Sequence, residues 1–323
     1  MNIALSRAAI VGATGPTGRH LARELQQRGV AVRAVSRATA NLDRCFPDPA
    51  VECVAADALD AAAVARAVAG CDLVVDCIGL PPDRMADHAA TARIVAAAAQ
   101  ETGARLLQVS SWWGFMPVRR LPLNESHPRA GGNTYARARR AAEDVMLAAG
   151  AAVIHLPDFF GPHVHTSTLQ MPLREAAAGK TMNWIGAADT EREYAFVPDA
   201  MAMAADLALR AEAYGRSWVF PGSGPLDARR AAEIASAHLD RRVKVRTAPR
   251  WLLRALGLVS ADLRAFAPVL DDYLQPIRYD AGRLAELLGP LRTTPYAEAI
   301  PATLGGLQAG RGGQNATATD PTA

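Results

Sequence analysis

Lysine is almost missing from these 323 residues: it stands only at positions 180 and 244, and arginine carries nearly all of the positive charge. With the heavy use of alanine this reads as a coding bias, so an Arg where a Lys is expected carries less meaning than usual. Cysteine is scarce as well. Cys45, Cys53, Cys71 and Cys77 form no CxxC pair and lie among apolar neighbours, which argues against a metal site and for small core groups in a reducing cytoplasm. No apolar run reaches the ~20 residues of a membrane span, so no membrane partner is expected. The first strand begins too early to leave room for a signal peptide. The net charge is only +3 and no Lys/Arg cluster interleaves with aromatics, which speaks against nucleic acid. Half of the residues are hydrophobic and the mean hydropathy is +0.02, as suits a globular chain with one large core or two unequal ones.

What is present starts with Ala8-Ala9-Ile10-Val11-Gly12-Ala13-Thr14-Gly15-Pro16-Thr17-Gly18, an apolar run broken by three glycines spaced GxxGxxG. It reads as a buried parallel strand, a tight turn and a helix over Arg19 to Arg28 whose first N–H groups are free to hold a phosphate. Gly12 permits the turn, Gly15 lets the backbone approach a pyrophosphate, and Gly18 lets the helix pack close to the strand. A dinucleotide cofactor follows, with Thr14, Pro16 and Thr17 in its cradle.

The pattern then repeats. Strands are expected at Val30–Ser36, Val51–Ala56, Leu73–Ile78, Arg105–Ser110 and Ala152–Leu156, with alanine-rich helices at Leu59–Ala69, Met85–Thr102 and Thr134–Ala149. Such alternation predicts an α/β fold with a doubly wound parallel sheet over residues 1–157. Residues 158–304 read as a smaller C-terminal substrate region, partly interleaved with the first. Its helices are expected near Ser167–Ala178, Asp199–Ala213, Leu226–His238 and Arg250–Leu256. From Gly305 the chain has almost no apolar residues and reads as a disordered tail.

At the end of the second strand, where an Asp or Glu would hold an NAD ribose, stand Ser36 and Arg37. A hydroxyl and a guanidinium can bind a 2′-phosphate that a carboxylate would repel, so NADP(H) is favoured over NAD. Arg19 is placed to help, or is an ordinary solvated helix residue. Asp57 can accept from an adenine amino group, cap the next helix, or both. Cys77, Ile78 and Gly79 end the fourth strand, where the adenosine ribose can lie against the backbone.

Ser110 and Ser111 end the fifth strand, and Tyr135 and Arg139 share a helix face at i and i+4. With these the chain resembles an extended short-chain dehydrogenase/reductase of the NAD-dependent epimerase/dehydratase family. The matching pieces are GATGPTG at 12–18, AAD at 55–57, SSWWGF at 110–115, YARAR at 135–139 with Glu143 following, LPDFFGP at 156–162 and REYAFVPD at 192–199. They span about 190 residues in the expected order.

The resemblance implies a Rossmann fold, a soluble homodimer built on the helices Met85–Thr102 and Thr134–Ala149, and an enzyme acting on a small molecule. It implies that Tyr135 is the acid/base on the substrate oxygen, with Ser111 binding the same oxygen and Ser110 its fallback. The usual Lys, which holds the nicotinamide ribose and lowers the Tyr pKa, is replaced by Arg139. A guanidinium can contact ribose hydroxyls and favour a tyrosinate, but it stays protonated and cannot join a proton relay. Pro157 and Phe159 would lie against the cofactor. Substrate candidates are Trp112, Trp113, Phe160, His163, His165 and Arg192, the last at the position that faces a diphosphate in relatives acting on nucleotide sugars. Packing and salt-bridge roles compete for each, and the HxH pair lacks further ligands for a metal. An NADP(H)-dependent oxidoreductase is the leading expectation. An epimerase, including one for a sugar nucleotide, and a non-catalytic NADP-binding sensor are the alternatives.

Overall fold

The computed structural model describes residues 2–248, 264 and 267–316. The chain lays down β1(Arg7–Val11), α1(Pro16–Gln27), β2(Ala31–Ser36), α2(Thr39–Cys45), β3(Val51–Ala55), α3(Ala61–Val68), β4(Leu73–Asp76), α4(His88–Thr102), β5(Arg105–Ser111), α5(Thr134–Ala148) and β6(Ala152–Leu156). All of β4 and β6 and most of β1 are buried, as apolar runs covered by helices on both faces must be. Then follow β7(Phe159–Phe160), α6(Gln170–Ala177), β8(Met182–Ile185), β9(Arg192–Glu193), β10(Ala195–Phe196), α7(Val197–Ala208), β11(Arg216–Val219), β12(Pro225–Leu226), α8(Ala228–His238) and β13(Val245–Ala248).

The main sheet has seven parallel strands in the order β11-β6-β5-β4-β1-β2-β3. The order reverses between β1 and β4, which opens a crevice at their carboxyl ends, the place where such sheets bind ligands. Register brings the site together: Val11 is opposite both Val35 and Asp76, Asp76 opposite Gln108, and Ser110 opposite His155. One apolar cluster joins β1, α1 and α7 on one face, and another joins α3, α4 and α5 on the other. The second half of the chain therefore contributes to the sheet, through β11 and through α7, which Arg28 ties to α1 by an ion pair with Asp206 (2.7 Å).

Several boundaries differ from expectation for local reasons. The first helix begins at Pro16 rather than Arg19, because proline at the first helical position lacks an N–H that would be unpaired anyway. β4 stops at Asp76, whose carboxylate accepts the N–H of Ile78 (3.0 Å) and turns the chain. Asp57 does not cap α3; it accepts from Leu59 N–H, and Asp60 is the cap, accepting from Ala63 N–H at 3.0 Å. Asp199, where a helix was expected to start, lies within the first turn of α7 and accepts the N–H of Thr294 (2.5 Å). Residues 305–316 of the segment expected to be a disordered tail continue the helix Tyr296–Ala316, and residues 317–323 lie outside the described residues. Tyr296, Ala299, Ile300 and Leu304 anchor its first turns in an apolar cluster with α6 and α8, and propagation needs no apolar side chains once a helix is nucleated. The helix expected at Arg250–Leu256 lies outside the described residues.

Candidate active site

The glycine loop is shaped by contacts that exclude a side chain. Gly12 has φ +84°, and a Cβ there would lie 2.7 Å from the Cys77 carbonyl oxygen; a Cβ on Gly18 would lie 2.6 Å from Ala13 Cα. Gly15 is different: its nearest neighbour is 3.4 Å away, and it starts α1 with no side-chain cap. The first turn of α1 follows β1 directly, beside the crevice between β1 and β4, and no side chain caps its N–H groups. That cradle fits a pyrophosphate. Pro16 leads the helix and Thr17 is buried beneath it. Thr14 and Ser36 hydroxyls meet at 3.2 Å at the ends of β1 and β2. Arg37 and Asp57 are exposed at the same edge, and Arg19 is half-buried. Cys77 is buried against Gly12, Ile78 is half-buried and Gly79 is exposed.

At the far side, a short turn Trp112–Phe115 leaves the end of β5 and packs on α5. Ser111 Oγ accepts the backbone N–H of Trp113 at 3.4 Å, and the Trp113 ring stacks on Tyr135 (5.6 Å, 13°). Asn133 caps α5 by accepting Ala136 N–H at 2.8 Å, which sets Tyr135 in the first turn. Burial, and then the negative charge of Asp83, push the Tyr135 phenol above its ordinary value.

Burial opposes the charge of Arg139, and Glu143 and Asp76 support it; its Nε is sealed from solvent without a hydrogen-bond partner. Its guanidinium adjoins a buried polar layer under the site. There Asp76, its pKa raised by burial, accepts from Gln108 (3.0 Å). Glu143, fully buried, accepts from Ser110 Oγ (2.5 Å), pairs with Arg129 (2.6 Å) and lies 3.5 Å from His155 Nδ1. Ser110 is therefore committed to Glu143 and does not serve as fallback for Ser111. His88, driven by burial down to about 3, lies close enough to Arg139 to feel its charge.

The substrate candidates divide. Trp113 is half-buried beside Tyr135. Trp112, 1% exposed, is core: its ring meets Tyr273 edge-on at 5.1 Å. Phe160 is core too, packed on Phe196 and Tyr296, and Pro157 is buried while Phe159 is half-buried in the β7–β10 pair. His163, held at φ +64°, and His165 are exposed on the loop after β7, and the His163 ring lies tilted against His20 of α1 at 5.7 Å. Arg192 is only 2% exposed, with Nη1 donating to the carbonyls of Asp272, Tyr273 and Gln275.

Asp76, Gln108, His155 and Tyr273 were not anticipated. The first three are polar residues inside otherwise apolar strands, a signal visible in the sequence. Tyr273, whose hydroxyl accepts Trp113 Nε1–H at 2.9 Å across 160 positions, had no local signal at all.

Residues 12–152 match a family described as NAD(P)H-binding. The structure superimposes on an epimerase from Methanothermobacter thermautotrophicus with a TM-score of 0.81 at 16% identity, covering 97% of this chain and 95% of that one. The UDP-glucuronic acid 4-epimerase of Bacillus cereus in complex with NAD gives 0.77 at 11% identity, over 94% and 99%. The dTDP-glucose 4,6-dehydratase of Streptomyces venezuelae with NAD bound gives 0.76 at 20% identity, over 95% and 98%. Among curated proteins, ceramide reductase of Caulobacter vibrioides is 33% identical over 164 residues, which are 48% of this chain and 46% of that protein. The match thus spans less than half of the relative's length. Residues 12–152 are thus similar to an NAD(P)H-binding domain, and the chain has the Rossmann-type fold that these solved epimerases and the dehydratase share. No helix among the described residues is long and apolar enough to cross a membrane.

Proposed function

We propose that this protein is an NADP(H)-dependent oxidoreductase that reduces the carbonyl group of a small molecule. One arrangement carries this reading: Tyr135 lies beside Ser111 through their shared neighbour Trp113, with its phenol pushed above its ordinary value by burial. A phenol that carries its proton at neutral pH can give it to a carbonyl oxygen. Tyr135 donates its proton to the carbonyl oxygen and Ser111 hydrogen-bonds the same oxygen. When bound, the nicotinamide supplies the hydride to the carbonyl carbon. Ser36 and Arg37 favour the 2′-phosphate of NADP(H), an assignment tested by titrating both cofactors.

The relative named ceramide reductase favours a net reductase. The epimerase reading rests on the fold alone. The four free cysteines suit a reducing cytoplasm, and α4 and α5, which pack side by side, are the expected faces of a homodimer.

The test is NADPH oxidation against a panel of ketones, aldehydes and sugar nucleotides. Tyr135→Phe is expected to lower kcat by about 10²- to 10⁴-fold while leaving the NADPH Kd nearly unchanged. A sensor is favoured by one specific feature, the engagement of Arg139 with Asp76 and Glu143. Wild type that binds NADPH without turnover, beside an Arg139→Lys variant that turns over, would establish that reading instead.

A further inference from the structure

Trp113 touches both residues assigned to the substrate oxygen. Its backbone N–H donates to Ser111 Oγ at 3.4 Å, and its ring lies nearly parallel to that of Tyr135, with the centroids 5.6 Å apart at 13°. That is within the range of a favourable aromatic pair. A half-buried indole in this place was expected to face a substrate. Its N–H has another use: Nε1–H donates to the Tyr273 hydroxyl at 2.9 Å, an ordinary length for such a bond. An indole has a single donor, so this bond fixes how the ring is turned as well as where it lies.

The acceptor is itself held. The Tyr273 ring meets Trp112 edge-on at 5.1 Å, and Arg192 Nη1 donates to the Tyr273 carbonyl at 2.9 Å. The Asp272 carboxylate accepts the Val118 N–H at 2.9 Å, and the Pro268 carbonyl accepts from Asn133 Nδ2 at 2.8 Å. Asn133 also caps α5 at the turn that carries Tyr135. Residues 268–273 thus brace the Trp113–Tyr135 pair, although Tyr273 stands 160 positions from Trp113 in the chain.

We infer that Trp113 is a positioning residue: anchored on Tyr273, its ring fixes the plane in which the Tyr135 phenol meets the carbonyl oxygen. A proton donor has to lie within about 3 Å of the oxygen it serves, and stacking on an anchored indole restricts the phenol before the substrate arrives. This rests on the oxidoreductase reading of Tyr135, so the placement of the ring and turnover are measured separately. Tyr273→Phe removes the accepting hydroxyl and keeps the packed ring. In the full chain carrying isotope-labelled tyrosine, the NMR resonances of the Tyr135 ring are assigned by their loss in Tyr135→Phe. Tyr273→Phe should shift them when Trp113 is present and leave them in place in a Trp113→Leu background. Resonances that stay put, or that move equally without Trp113, overturn the inference. In turnover, Tyr273→Phe should lower kcat about fivefold, the effect of one lost hydrogen bond, with KM and the NADPH Kd unchanged. A raised KM at unchanged kcat makes Trp113 a substrate platform and overturns the inference as well. Trp113→Phe keeps a stacking ring without the N–H, so combining it with Tyr273→Phe should cost no more than Trp113→Phe alone, whereas additive losses refute the anchor. Shifted resonances in a protein that oxidises NADPH with no panel substrate support the anchored ring and remove the oxidoreductase reading.

Discussion

The cofactor cradle and the site around Tyr135 lie at one edge of the same sheet, but they are built from different material. The cradle is backbone: two glycines that exclude any Cβ, a helix start with unpaired N–H groups, and Gly15 left open. The Tyr135 region is side chains over a buried polar layer, in which Glu143, Asp76, Arg139, His155 and His88 depend on one another. A backbone site tolerates change in almost any side chain nearby. A polar layer sealed from water does not, because removing one partner strands the others.

The contrast breaks most visibly at Glu143. Glu143→Ala strands Ser110 and Arg129 at once, and a loss of about 3–5 kcal/mol is expected, the size seen when one partner of a buried pair is removed. Denaturant unfolding measures it; a loss under 1 kcal/mol would show the layer to be no more than a set of screened pairs.

Gly15→Ala sharpens the comparison from the other side. A Cβ there meets nothing closer than 3.4 Å, so stability should hold within about 1 kcal/mol. Cofactor affinity should fall tenfold or more, since the methyl group stands where a pyrophosphate must approach. Calorimetric titration with NADPH reads the affinity, and unchanged binding would place the cofactor elsewhere.

The smallest effect is one of pH. His88 folds neutral, with burial and then Arg139 holding it down at about 3 against an ordinary 6.5. Below pH 6.5 the unfolded chain takes up a proton that the folded chain refuses, so stability falls as pH drops from 6.5 toward 3. At pH 5.5 the share of His88 is about 1 kcal/mol. His88→Gln should flatten the fall in Tm between pH 7 and 5 without abolishing it, because His155 is depressed in the same way. An unaltered slope would show that His88 is already solvated in the native protein.

By itself the sequence determined the frame. Apolar runs such as LVVD and AVIHL can only be strands buried on two faces, and GATGPTG can only turn where glycine tolerates positive φ and close contact, so the sheet and the cradle were legible in short windows. Tertiary structure decided what the polar residues do. Arg192 became the fastening of a segment 80 positions away, Ser110 went to Glu143, and Trp113 was fixed between Tyr135 and Tyr273. The physical reason is range: a φ value or a strand face is set by near neighbours, whereas the partner of a buried charge is whichever group the packing of distant elements brings within ~3 Å.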